Sequence, residues 1–192
     1  FMDVLIKVMP LLIGFALIAV IVVVFLGRAK EQQMVTVYKG NMKQLPVPIK
    51  LGHYQDTQCG MPVEHLDDSC QVNAPDGKTW FFDDVGCMAL WIENKAFINE
   101  AKVWVYSRDT KEWIDARSAW YSLADDTPMR YGFGAYLTKQ EGFIDFETMK
   151  LKMLRGGNLA DPYVRREKVG TQLTYAHYQP RFGKHCLSTV RV

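Results

Sequence analysis

The chain has 192 residues, 48% of them hydrophobic, and its 23 basic and 21 acidic side chains leave a net charge of +2. That length suits one or two compact domains, and the near-balance of charge gives the surface no electrostatic reason to seek nucleic acid. The four cysteines show no paired C-x-x-C spacing, so neither a structural zinc motif nor a disulfide framework is evident.

From Val8 to Gly27 the sequence VMPLLIGFALIAVIVVVFLG carries no charge. Twenty residues at helical rise cover about 30 Å, the thickness of a bilayer's hydrocarbon. Ala29 stands alone among Arg28, Lys30 and Glu31, which makes a poor signal-peptidase site, so residues 1–30 are expected to be an uncleaved transmembrane anchor. The flanking charges, Lys7 before it and Arg28 and Lys30 after it, favour a cytoplasmic C-terminal part by a single residue. Beyond the anchor the two signs are equal in number.

Residues 31–56, polar and containing Pro46-Val47-Pro48, are expected to form a stalk or extended lead-in. Ser69 to Ala74 predicts a strand, Pro75-Asp76-Gly77-Lys78 a turn, and Thr79 to Phe82 the returning strand of a hairpin. Asp83 or Asp84 suits a helix N-cap. Val85, Met88, Ala89 and Ile92 follow at helical spacing, and residues 101–107 alternate as a strand, so 57–108 forms a ββαβ unit. Residues 109–165 repeat that order. An extended aromatic stretch runs from Trp113 to Leu123, a loop holds Thr127-Pro128-Met129, and Gly132 to Thr138 forms a strand. A helix led by Asp145 and stopped by Gly156-Gly157 follows, then a strand around Tyr163. The fold class is α+β, two ββαβ units behind one transmembrane helix, and 166–192 is a tail.

Cys59-Gly60-Met61 places a thiol and a thioether on either side of a glycine. In an extended segment residues i and i+2 share a face, and soft sulfur ligands select Cu(I). The plain alternative is a turn before a strand with both side chains as filler. His65 and His53 flank the motif and are positioned to complete or gate it, or are surface histidines. Cys70 and Cys87 read as small buried hydrophobes; the sharper options are a Cys59–Cys70 disulfide or a zinc site of Cys59, Cys70, Cys87 and His65. Cys186 lies in the tail with His177 and His185. No G-x-S-x-G, no phosphate loop and no unarbitrary Cys-His-acid trio occurs. Nothing in these residues argues for an enzyme.

Cys59-Gly60-Met61, Phe81-Phe82-Asp83, Trp113-Ile114-Asp115-Ala116, Thr127-Pro128-Met129, Gly132-Phe133-Gly134-Ala135-Tyr136 and Gly156-Gly157 occur in the order seen in NosL-like proteins. The resemblance covers roughly 57–162. It implies paired ββαβ units, Cu(I) as cargo, Cys59 and Met61 as ligands and Met129 as a third. It also implies a soluble domain on the periplasmic side of the inner membrane, donating copper to nitrous oxide reductase or another copper enzyme or transport complex. The family is typically lipid-anchored, whereas no lipobox precedes a cysteine here. That difference leaves a second expectation: an accessory or assembly subunit held in a respiratory membrane complex, with or without copper. A thiol redox protein is a third.

Overall fold

The structure is a computed structural model that describes residues 2–31 and 34–168. The elements run α1 (Met2–Glu31), β1 (Val37–Tyr38), β2 (Cys70–Asn73), β3 (Thr79–Phe82), α2 (Val85–Ile92) and β4 (Lys102–Tyr106). They continue with β5 (Trp113–Asp115), β6 (Trp120–Tyr121), β7 (Ala135–Tyr136) and α3 (Phe146–Leu154). Five strands form one antiparallel sheet in the order β1-β3-β2-β4-β5, and β6 pairs with β7 in a second.

The β2–β3 hairpin turns at Gly77, whose φ of +80° suits a residue without a Cβ, and the turn is closed by Ala74 N–H donating to the Lys78 carbonyl at 2.8 Å. β2 is the middle strand and is buried on both faces. Its apolar positions, Cys70 and Val72, join Phe82, Val103 and Val105 under the helices, where α2 contributes Val85, Met88, Ala89 and Ile92 and α3 contributes Phe146, Met149 and Met153. Burial of one such side chain contributes about 2 kcal/mol.

The polar positions of β2 face the other way, where Gln71 and the Asn73 Nδ2 bond to the chain expected to be a stalk, while the buried Asn73 Oδ1 has no partner among the described residues. The Gln71 side-chain amide accepts from Val47 N–H and donates to the Val47 carbonyl, both at 2.8 Å, and Asn73 Nδ2 donates to the Leu45 carbonyl at 2.8 Å. Trp104 Nε1 donates to the Gln44 carbonyl at 2.9 Å. Residues 34–56 are thus laid along the sheet, with β1 on its edge and Tyr54 packed on Phe81 and Val63 in a smaller cluster. A buried amide side chain that needs backbone partners explains why a polar, proline-containing stretch is bound rather than free.

The first ββαβ unit is present as β2, β3, α2 and β4. The second differs from expectation. β5 joins the first sheet, β6 and β7 are only two residues each, and the stretch 162–168 around Tyr163 is helical, not a strand. The Asp161 carboxylate accepts from Tyr163 N–H at 2.8 Å, which starts a helix where an aromatic residue alone suggested extension. The two sheets are joined by Arg108, just after β4. Its Nε and Nη2 donate to the two Asp68 oxygens at 2.9 and 2.7 Å, Nη2 also donates to the Asp126 carbonyl at 2.7 Å, and Nη1 lies 3.6 Å from Asp125. Gly134 makes room for this group: a Cβ there would lie 2.0 Å from Asp125 Oδ2 and 2.8 Å from Arg108 Cδ.

The helix α1 covers the stretch expected to be an anchor, with Pro10 near its start. Among the described residues, no helix is long and apolar enough to cross a membrane. From Leu12 to Arg28 nearly all of its side chains are apolar and exposed.

Candidate metal centre

The site begins with Asp56, which is 1% exposed. Its Oδ1 accepts from Gln58 N–H at 2.6 Å and Cys59 N–H at 2.9 Å, and its Oδ2 accepts from Asp83 N–H at 2.9 Å. Its own N–H donates to the Met61 carbonyl at 2.7 Å and its carbonyl accepts from Gly60 N–H at 3.0 Å. One carboxylate therefore shapes the turn that carries Cys59 and fastens it to the end of β3. Gly60 has φ +78°, so the segment is a left-handed turn and not the extended run in which Cys59 and Met61 share a face.

β3 ends in Asp83 and Asp84, and α2 begins behind them. Asp84 is the N-cap, its Oδ1 accepting from Gly86 N–H at 2.7 Å. Cys87 is the third residue of α2, so the first helical turn carries its thiol back toward Asp83. The ligand atoms of Asp56, Cys59, Asp83 and Cys87 all lie within 4.8 Å of one another, close enough to hold a metal ion. The Cys59 thiol donates to Asp83 Oδ1 at 3.6 Å. Cys59 is half-buried and the other three are buried.

Crowding acid groups away from water drives protons onto them. Burial, then the hydrogen bond and charge of Asp56 and the charge of Asp84, push the Asp83 carboxyl up to about 8. Burial, with the Asp56 and Asp83 charges, pushes the Cys59 thiol up to about 11 against hydrogen bonds from Met61 N–H and Cys87. Cys87 is raised well above the usual thiol range, by burial first and then by the Asp56 and Cys59 charges. At neutral pH both sulfurs are thiols, and a cation that displaces their protons would relieve the repulsion.

A strap from the second unit closes over this end. Asp84 Oδ2 accepts from Met129 N–H at 3.0 Å, and the Thr127 hydroxyl accepts from Tyr131 N–H at 3.1 Å and Gly132 N–H at 3.3 Å. The Tyr131 ring lies on Gly86 so closely that a Cβ there would be 2.3 Å from its Cδ2. Met129 is half-buried and packs against the same core as Cys59. Arg130 between them has φ +57°, a left-handed conformation that side chains resist.

Of the residues singled out in the sequence, Cys59 is in the cluster and Met129 is in the strap. Met61 lies at the outer side of the turn, 42% exposed. His65 is exposed, its carbonyl accepting from the Ser69 hydroxyl at 2.5 Å, and His53 stands edge-on to Tyr54 at 5.3 Å. Cys59, Cys70 and Cys87 are free thiols, so the Cys59–Cys70 disulfide is not formed. Cys70 is fully buried in β2, its thiol donating to the Asp68 carbonyl at 3.4 Å, which removes it from a zinc set with Cys59. Cys186, His177 and His185 lie outside the described residues. The sequence reading missed Asp56 as a ligand group, took Asp83 only as a candidate helix N-cap, and placed Cys87 as a ligand only in the alternative zinc set. The available signal was a cysteine three residues after the Asp84 N-cap, on the first turn of a helix that starts beside Asp83.

No protein-family model matches the chain, and no curated protein matches it. Among solved structures, the copper chaperone NosL from Shewanella denitrificans is similar at a TM-score of 0.45 and 14% sequence identity, over 57% of this chain and 87% of that one.

Proposed function

We propose that this chain binds Cu(I) between Cys59 and Cys87 and donates it to a copper enzyme outside the cytoplasmic membrane. The observation that carries the reading is the convergence of two free thiols, one half-buried and one buried, in a single cluster. Asp56 already accepts three backbone N–H groups, which commits its oxygens to the turn, and the two sulfurs are the soft donors of the cluster. Sulfur donors favour Cu(I) over harder ions. Met129 is the third ligand we assign, because the strap that carries it is fixed to the same helix cap. Met61 and His65 stand on the exposed side, where an approaching acceptor would meet them. The exposed apolar side chains of α1 support an anchoring role at a membrane, and the periplasmic placement of the domain rests on the sequence resemblance alone. The sequence resemblance makes nitrous oxide reductase the leading recipient.

The test is anaerobic titration of the reduced full chain in detergent with Cu(I) against a competing chelator. One copper per chain is expected, at least tenfold weaker in Cys59→Ser and Cys87→Ser and less weakened in Met129→Leu. The same protein should float with lipid vesicles through a density gradient. Copper binding no stronger than the chelator background, or equal in all variants, would refute the donor reading and leave the accessory-subunit expectation. Preference for Zn(II), which thiolates and carboxylates can bind together, would overturn the assignment of Cu(I) as the cargo.

A further inference from the structure

We propose that Cys59 and Cys87 are a modification site, closing to an intramolecular disulfide under oxidation by a small-molecule disulfide. That the closure switches off copper binding rests on the reading above; the disulfide itself does not. Their sulfurs lie in one cluster within 4.8 Å, and both thiols are free. A disulfide needs the sulfurs at about 2.05 Å, a closure that side-chain rotation toward each other would have to supply from within the cluster.

The two thiols differ in access, and the difference orders the chemistry. Cys59 is half-buried on the turn, whereas Cys87 is 1% exposed at the start of α2. An external disulfide therefore reaches Cys59 first. The Cys59 thiolate attacks one sulfur of the oxidant, forming a mixed disulfide and expelling one thiolate. Cys87 then attacks the Cys59 sulfur, breaking the mixed bond and expelling the second. The protein's two thiol protons end on the two expelled thiolates, so one oxidant disulfide becomes two thiols while the protein loses two hydrogens and two electrons pass to the oxidant. Cys70 does not compete, because it stands outside this cluster, its thiol donating to the Asp68 carbonyl at 3.4 Å.

The experiment treats metal-free full chain in detergent with oxidised glutathione, blocks remaining thiols with iodoacetamide, and maps the digest by mass spectrometry. The expected product is a peptide pair joined through Cys59 and Cys87, reversed by dithiothreitol. Cys87→Ala, which keeps the site small and apolar, should instead accumulate a stable glutathione adduct on Cys59. Oxidised protein should lose Cu(I) uptake to the chelator background, and reduction should restore it. Adducts on wild-type Cys59 without cross-linking, or linkage of Cys59 to Cys70 or Cys186, would overturn the proposal even where the reduced protein binds copper. Closure of the pair in a protein that takes no copper when reduced would overturn the copper reading alone.

Discussion

Asp56 and Asp83 divide the work of a carboxylate between them. Asp56 is consumed by three N–H donors and sets the backbone, while Asp83, lacking such donors and facing Asp56, keeps its proton up to about 8. The folded metal-free chain therefore binds this proton between about pH 4, where a free aspartate loses it, and about 8, where the folded one does. Since the native state holds more protons over that window, stability falls as pH rises through it. Asp68 and Asp84, raised chiefly by burial, act in the same direction. Asp145, held low by the N–H and side chain of Thr148, acts oppositely and loses its stabilisation in acid. Urea midpoints measured from pH 4 to 8 should decline in the wild type and decline less in Asp83→Asn; identical slopes would show that Asp83 does not carry the proton. None of this was legible in the sequence, where Asp83-Asp84 reads simply as a helix start. Charge partners are set by the β3 end meeting a turn 27 residues earlier, a contact that local spacing does not encode.

At the level of elements, the N-cap of α2 does more than begin a helix. Asp84 gives one oxygen to Gly86 N–H and the other to Met129 N–H, so the helix start and the strap are held by one buried side chain. Asp84→Ala removes a cap and strands a backbone donor, at a cost of about 2–3 kcal/mol. Gly86→Ala should also destabilise, by about 1–3 kcal/mol, although alanine is the better helix former, because the new methyl meets the Tyr131 ring. Denaturation of Gly86→Ala, Tyr131→Ala and the double variant should give strongly non-additive losses; additive ones would mean the ring does not rest there. The hairpin and β4 were readable in the sequence from alternation and turn residues, and α2 and α3 from an Asp N-cap ahead of helical spacing, with a glycine stop after α3. The extent of β6 and β7 was not readable, since the aromatic run from Trp113 to Leu123 is interrupted by a turn. There Tyr121 is buried and its hydroxyl donates to the Ala116 carbonyl at 2.7 Å.

Over the whole molecule, all four clustered side chains come from 56–87, and the second unit reaches the site through the strap. The units are nonetheless bound elsewhere by Arg108, which is only partly exposed and spans Asp68 on one side and Asp125 and the Asp126 carbonyl on the other. The two sheets share one hydrophobic core, and Arg108 adds a polar tie to it, so they are expected to unfold in a single thermal event. If the β6–β7 side pulls away, Arg108 stays with Asp68 while the half-buried Asp125 loses its countercharge and the Asp126 carbonyl loses a donor, at about 1–2 kcal/mol. Scanning calorimetry of the full chain should show one transition for the folded domain. In Arg108→Ala that transition should fall in temperature and broaden or divide, with the β6–β7 portion melting first. The arginine is in this sense a fuse between two parts that share a core but no strand: when it fails, the β6–β7 side and the strap above Cys59 loosen ahead of the central sheet.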